Sequence, residues 1–460
     1  MSLPKVQRHT LVLSLSFFTV AVYLIFHNGE NSAVSTPTYP DPLPGSVWAA
    51  VGDDQHQPDT KTPSSGTLGR LSTPTEYNTW KTILFWDKWF GGDWSNRFGA
   101  SSSWALQGEG CPTWQCRFTY DRSLLRGAHA VLFRALAYPW EVLPKRREPE
   151  EQRWVLVDVE APPEGPPASS RRSKQASSFI NWTMTYHSQS DVVAYNGYFL
   201  SHNASVRPLR PNRMRDHATA VAGVKEALKR GASLEEVLGS SWLSLVNKPR
   251  VVAWMSGHCH TRSRREQYVA ELKKYLPVDT YGQCGSLVCG PKSVLGGKCW
   301  EQVLQPNYSF YLSMENAFCD DYITEKLYNP LVHNIVPVVW GGADYRRYLP
   351  PHSYIDARHY HPKQLAGLLL RLHQDPVAYG RYHIWRAYLR PVLKGSLCEL
   401  CHLVHTNTSR HHYTNLPDTR FSRGRCTTLP SSLFGPSSPH SWKKVITTNY
   451  SETDSSRSIP

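Results

Sequence analysis

In the second half of the chain, continuous apolar stretches alternate with amphipathic ones. RVVAWMS (250–256) precedes an amphipathic segment around Arg264 to Leu276, and VDTYG, YSFYLSME and NIVPVVWGG follow. Between the last two, Ile323, Leu327 and Leu331 recur at every fourth position, which predicts a helix. SYIDA and PKQLAGLLLRL complete the series, with Leu365, Leu368, Leu369 and Leu372 at helical spacing. Strands apolar on both faces, separated by helices, predict a parallel sheet covered on both sides in a Rossmann-like layer. The first half is noisier; its candidate strands are TILFWDKWF, AHAVLFRAL, RWVLVDVE, INWTMTY and DVVAYNGYF. Two such domains facing one another would hold a ligand cleft at the carboxyl ends of their strands.

The flanks follow a different pattern. Thr10 to Phe26 is an uncharged apolar run of 17 residues, near the lower limit for a helix crossing a roughly 30 Å hydrocarbon core. Lys5 and Arg8 precede it, and Asn28 and Glu30 follow, so the positive-inside bias predicts a type II signal-anchor with the bulk of the chain luminal. A cleaved signal peptide is the competing reading; the apolar run is long for one and no small-x-small site follows directly. A short span favours thinner, early secretory membranes, hence the Golgi. Pro, Ser, Thr, Gly and Asp dominate from about Asn28 to Pro74, as in a flexible stem, and the stretch after Asn407 is rich in Ser, Thr, His and Arg, the composition of a loosely attached tail. The expected organisation is a cytoplasmic tail (1–9), a transmembrane anchor (10–27), a stem (28–75), an N-terminal Rossmann-like acceptor domain (76–245), a C-terminal Rossmann-like nucleotide-binding domain (246–406) and a low-complexity tail (407–460).

A luminal chain changes the reading of the cysteines and asparagines. Ten cysteines are expected to form disulfides. Cys111 and Cys116 are spaced to close a small loop, as are Cys398 and Cys401, while Cys284, Cys289, Cys299 and Cys319 cluster around YSFYLSMEN. A zinc reading of Cys398, Cys401, His402 and His405 is disfavoured because no second ligand pair follows at a defined spacing. Five sequons, at Asn181, Asn203, Asn307, Asn407 and Asn449, offer glycosylation sites. The formal charge of +14, from 51 Lys and Arg against 37 Asp and Glu, raises nucleic-acid binding. Scattered basic residues and a luminal setting argue against it; an anionic small molecule or a glycan fits better.

The candidate chemistry gathers in YSFYLSMENAFCDDYITEKLYNP (308–330). Glu315 and Asn316 fall at the carboxyl end of a strand, where open α/β sheets bind ligands. Asp320 or Asp321 is suited to cap the helix that follows, and Pro330 is expected to end or kink it. A helix N-terminus aimed into a cleft attracts phosphate, and Lys326 adds a full positive charge. Each residue alone is commonplace, Glu325 and Lys326 as solvated helix residues and Glu315 as a strand-end acid; their co-occurrence at one strand-to-helix junction is what points to function.

This stretch, continued through LVHNIVPVVWGG, resembles the α1,3/4-fucosyltransferase signature (glycosyltransferase family 10), written roughly Y-x-F-x-L-x-F-E-N-x(4)-D-Y-x-T-E-K-L, then V-P-V-V-x-G. FINWTMTYHSQSDVVAYNGYF (179–199), PPHSYIDARHYHPKQLAGLL and CELC are similar to further family segments, so the likeness covers about Trp80 to His405. It is most like an invertebrate Golgi α1,3-fucosyltransferase. The resemblance implies a GT-B architecture of two facing Rossmann-like domains and an inverting transfer of L-fucose from GDP-β-L-fucose to the 3-hydroxyl of GlcNAc on glycoprotein or glycolipid glycans. It further implies Lys326 on the diphosphate, Glu325 on donor sugar hydroxyls, Asn316 and Tyr322 as donor contacts, and Arg265 as diphosphate-binding arginine, with Arg262 and Arg264 as competitors across a one-residue gap. Glu160, in RWVLVDVEAPPEG, resembles the E-S-P segment that supplies the base. No cofactor or metal is expected, a divalent cation being at most stimulatory; Asp158-x-Glu160 matches a metal-binding D-x-D weakly.

Several positions depart from the family. Met314 stands for Phe, a change of similar volume; His187 and Gln189 replace an Arg and an Asp in Y-R-x-D-S-D; Gly257 replaces an Asn; and Ala128 to Trp140 lacks the His-His-Trp run of the acceptor-specificity segment. The alternative is therefore a catalytically silent, glycan-binding or scaffolding member of the same fold. Donor binding with and without turnover discriminates the two.

Overall fold

The computed structural model describes residues 80–89, 92–94, 98, 102–134, 151–161, 180–210, 213–289, 297–393, 397–408, 413, 426–429 and 433. The expected anchor, the stem, Asn449 and most of the tail lie outside them. Among the described residues no helix is long and apolar enough to cross a membrane.

Two parallel sheets carry the architecture. Strands β1 (Lys81–Phe85), β2 (Cys116–Thr119), β3 (Ala130–Arg134), β4 (Arg153–Asp158), β5 (Trp182–Thr185) and β6 (Val192–Val193) form the first, in the order β2-β1-β3-β4-β5-β6. Strand β7 (Tyr198–Ser201) leaves it. The second sheet is built from β8 (Arg250–Met255), β9 (Asp279–Tyr281), β10 (Tyr308–Met314), β12 (Val336–Trp340) and β13 (Ile355–Asp356), in the order β13-β12-β10-β8-β9. Every neighbouring pair in both sheets is parallel. The apolar runs that predicted them have the expected physical cause: every residue of β10 and β12 is buried. Full burial of side chains such as Phe310, Leu312 and Met314 contributes about 1.5–3 kcal/mol each.

The connectivity locates the crevice. After β8 the chain moves outward to β9, then returns to the other side of β8 to lay down β10. That reversal opens a gap at the carboxyl ends of β8 and β10, the position where doubly wound sheets bind ligands. Helices α2 (Arg265–Leu272) and α3 (Glu325–Val332) begin just beyond those two strand ends.

The structure corrects several expectations. Helix α3 is capped by Thr324, whose hydroxyl accepts from the Lys326 N–H, not by Asp320 or Asp321. Asp321 adopts φ +59°, and its carboxylate accepts from the Ser188 N–H at 3.2 Å and the Tyr348 hydroxyl at 2.9 Å. Pro330 does not end α3, which runs on to Val332. A proline there cannot donate to the carbonyl of Lys326; the Ser313 hydroxyl of β10 donates to that oxygen instead, at 2.7 Å.

Segments of each half also pack against the sheet of the other. Strand β7 pairs antiparallel with β14 (Leu389–Val392). Phe199, Met214, Val224 and Ala227, the last two on α1 (Ala218–Lys229), share one core with Leu327, Leu331, Val339 and Trp385. In the opposite direction, α5 (Cys398–Thr406) buries Leu400 against Ile83, Phe85 and Val157 of the first sheet. Helix α4 (Pro362–Gln374) stays with the second sheet through Leu365 and Leu369. The cysteines explain the return of α5: they do not close small loops but cross the chain as Cys111–Cys398 and Cys116–Cys401. The other pairs are Cys259–Cys284, Cys289–Cys299 and Cys319–Cys426. Cys116, Cys401 and His405 lie within ligand distance of one another, but the two sulfurs are bonded together and offer no thiolate to a metal.

Candidate functional site

The centre of the site is a charge network at the carboxyl end of β10. Glu315 is 2% exposed; its N–H donates to the Trp340 carbonyl, which fixes the backbone to β12. Its carboxylate accepts from the Thr324 N–H at 2.8 Å and the Thr324 hydroxyl at 2.9 Å. The Lys326 ammonium lies 3.4 Å from Glu315, 3.2 Å from Glu325, and donates to the Thr324 hydroxyl at 2.9 Å. Burial works against the Lys326 charge, yet the carboxylates of Glu315 and Glu325 outweigh it and hold the pKa raised. For Glu315, burial prevails over Lys326 and raises the carboxyl pKa. Lys326 and the N–H groups at the start of α3 are the positive groups of this site, and Glu315 and Glu325 hold the ammonium in place.

Glu160 comes from the other half, two residues beyond β4. The Tyr322 hydroxyl donates to Glu160 Oε2 at 3.3 Å, and Tyr322 packs edge-on against Tyr186 with ring centroids 4.7 Å apart. The C-terminal donor motif and the candidate base of the N-terminal half are thus in contact. Glu160 is exposed. It is the neighbouring Asp158, accepting from the Glu160 N–H at 3.2 Å, whose pKa rises to about 7, because burial outweighs that hydrogen bond and the Glu160 charge adds to the rise.

Arg265 starts α2 and is 2% exposed. Its guanidinium donates to the Met314 carbonyl at 2.6 Å, the Ser256 hydroxyl at 3.1 Å and the His258 carbonyl at 3.3 Å. Burial lowers its pKa, with Glu315 opposing. Its Nε and the Oδ1 of Asn316 are buried without a hydrogen-bond partner, an uncommon state for polar atoms so enclosed. Arg265 therefore stands at the β8/β10 switch point, beneath Glu315 and bonded to the strand ends. Of its competitors, Arg264 donates to the Leu429 carbonyl at 3.3 Å, and Arg262 lies near Tyr186, whose pKa it opposes in rising.

Sequence reasoning missed Asp158 as a titrating group and Tyr186 as a wall of the site; the second lies in the segment similar to F-N-W-T-x-x-Y, which was a usable signal. His187, the replacement for Arg, is buried 3.9 Å from the Asp321 carboxylate. A cavity of about 290 Å³ borders Tyr186, Asn196, Arg213, Asp321, Tyr328 and Tyr348. Ala135 to Trp140 of the acceptor-specificity segment lie outside the described residues.

The sequons divide by packing. Asn181 is 2% exposed, accepts from the Trp154 N–H at 2.7 Å and donates to the Gln152 carbonyl at 3.2 Å, so a glycan there is incompatible with the folded sheet. Asn203 sits exposed in a turn after β7. Asn307 and Asn407 are partly buried, the first donating to the Val303 carbonyl at 2.8 Å and the second receiving Arg153 at its carbonyl.

Residues 78–197 match the family described as "Fucosyltransferase, N-terminal", and residues 245–419 match "Glycosyltransferase family 10 (fucosyltransferase) C-term". The chain is 32% identical to α-(1,3)-fucosyltransferase C of Drosophila melanogaster over 72% of this chain and 75% of that protein. It is 30% identical to glycoprotein 3-α-L-fucosyltransferase A of the same organism, over 69% of this chain and 57% of the relative. A crystal structure of an α1,3-fucosyltransferase with GDP-fucose aligns over 75% of this chain and 96% of its own at 13% identity, with a TM-score of 0.43.

Proposed function

The chain belongs to the α1,3-fucosyltransferases of glycosyltransferase family 10, and on that premise we propose an inverting transfer of L-fucose from GDP-β-L-fucose to the 3-hydroxyl of a GlcNAc residue. Glu160 takes the proton of the acceptor hydroxyl. The oxygen attacks the anomeric carbon of fucose from the face opposite the nucleotide, and the bond to the β-phosphate oxygen breaks with its electron pair leaving on GDP. Lys326 and the N-terminal N–H groups of α3 stabilise the charge that develops on the diphosphate. Glu325, Asn316 and Tyr322 hold the donor, and Arg265 supports the diphosphate side from beneath. No metal is needed for a leaving group already met by cations.

The observation that carries this reading is the Tyr322 to Glu160 hydrogen bond, which brings an acid from one half onto the donor motif of the other. A glycoprotein acceptor agrees with the name of one Drosophila relative. The anchor and Golgi placement belong to the same proposal and rest on the apolar run at 10–26. The test is GDP release with GlcNAc-terminated and N-glycan acceptors. Glu160→Gln is expected to keep GDP-fucose affinity and to lose turnover by about 10²-fold or more; a Gln variant turning over like the wild type removes Glu160 from the mechanism.

A further inference from the structure

The tail, loose by composition, returns to the donor motif. Cys426–Thr427 (β15) pairs antiparallel with Phe318–Cys319 (β11), and Cys426 is disulfide-bonded to Cys319, between Asn316 and Tyr322. The Leu429 N–H donates to the Arg262 carbonyl at 3.2 Å, and Arg264 Nε donates back to the Leu429 carbonyl at 3.3 Å. The same segment is thus pinned to the loop that leads into Arg265. Leu429 and Leu433, 1% and 0% exposed, join the core of Phe318, Tyr268 and Trp340. Toward the first half, Cys426 Sγ is 4.0 Å from the Tyr186 hydroxyl. Cys426 and Ala161, which follows Glu160, flank one apolar cluster with Tyr186, Ala317, Cys319 and Tyr322. On the far side of Cys319, Gly342 leaves room for the Cys319 backbone, which a Cβ at that position would meet at 2.6 Å.

Neither large sheet needs this attachment, since β11 and β15 are two residues each and pair only with one another. A ladder so short does not sustain itself; the disulfide and the buried leucines hold it. What it touches is the Arg262 loop, the 316–322 loop and Tyr186, three groups of different chain origin that meet at the site.

We infer that residues 426–429, locked to Cys319, are a positioning element of the donor site. They set Tyr322 through Cys319 and Tyr186, and they set the loop that carries Arg262, Arg264 and Arg265. Cys319 and Cys426 touch no reacting atom; they act through those residues. This inference rests on the fucosyl-transfer reading above.

The experiment compares the full chain with Cys319→Ser/Cys426→Ser and with Leu429→Ala, which retains the disulfide. GDP-fucose affinity is measured by calorimetry, donor KM and kcat by GDP release, and the thermal midpoint alongside, with all binding done well below that midpoint. Expected in the double variant is a donor Kd and KM raised about 10-fold or more, and in Leu429→Ala a rise of about threefold or more, because small displacements of binding groups are costly. A lowered midpoint with donor Kd and KM unchanged in both variants assigns the disulfide a mechanical role alone and overturns the inference. If the double variant does not fold, Leu429→Ala decides by the same criterion. A wild-type chain that fails to bind GDP-fucose overturns the fucosyl-transfer reading itself, whereas wild-type binding with unaltered variants sinks only the positioning role.

Discussion

The charge balance around Lys326 determines what each substitution at the site does. Lys326→Ala removes the cation that answers both Glu315 and Glu325 and leaves the buried Glu315 carboxylate with its hydrogen bonds from Thr324 and the more distant charge of Arg265. Donor affinity is expected to fall by at least about 10-fold, since a charged hydrogen-bonding group is worth roughly 1.5–3 kcal/mol, and calorimetric titration with GDP checks it. Asp158 gives a pH dependence of stability. Its pKa in the fold is about 7, raised from the ordinary aspartate value, so the folded state holds the proton more tightly than the unfolded one. The stability supplied by that proton is present at low pH and is lost as pH rises through about 7. Asp158→Asn is expected to gain thermal stability relative to the wild type between about pH 4 and pH 7, as differential scanning calorimetry across that range would show. Glu325, Lys326 and Tyr322 were legible in the sequence because they lie in one contiguous motif. The shifted Asp158 was not, because its desolvation comes from residues remote in the chain, and the burial of Asn181 was hidden for the same reason.

At the scale of elements, the pieces that place Lys326 are a strand and a helix joined by compensating bonds. The hydroxyl of Ser313 supplies the hydrogen bond that Pro330 cannot give to the Lys326 carbonyl. Ser313→Ala is expected to cost about 1–3 kcal/mol by leaving a buried acceptor unsatisfied, read from urea unfolding, and to weaken donor affinity because α3 carries Lys326. Strands β10 and β12 were readable from hydrophobic pattern alone because their apolar runs are buried on both sides, as were β8 by the buried centre of its run and helix α4 by its leucines at helical spacing. Strand β2 was not, since Cys116–Thr119 is an edge strand with only Cys116 fully buried. DVVAYNGYF read as one strand but breaks into β6 and β7, which pair in different sheets. The N-cap was misplaced because Asp321 turns its carboxylate to Ser188 and Tyr348, a choice made by neighbours across the fold.

At the scale of the whole molecule, α5 is tied back to the first sheet by two bridges that close almost the same loop, with separations of 287 and 285 residues. Loop-closure entropy is then largely shared between them. Removing either pair alone (Cys111→Ser/Cys398→Ser or Cys116→Ser/Cys401→Ser) is expected to cost far less than removing both, the latter on the order of 4–5 kcal/mol, measured by urea unfolding of the three variants. Cysteine spacing suggested two local loops because spacing along the chain says nothing of which ends meet in space. By itself the sequence determined the parallel α/β character and the family, because these reside in local periodicity and contiguous motifs. Only the tertiary structure decided the disulfide partners, the capture of the tail by Cys319, the contact between Tyr322 and Glu160, and the raised pKa of Asp158. Each of those depends on distances between residues far apart in the chain, and they are set by how two sheets and their crossing segments pack.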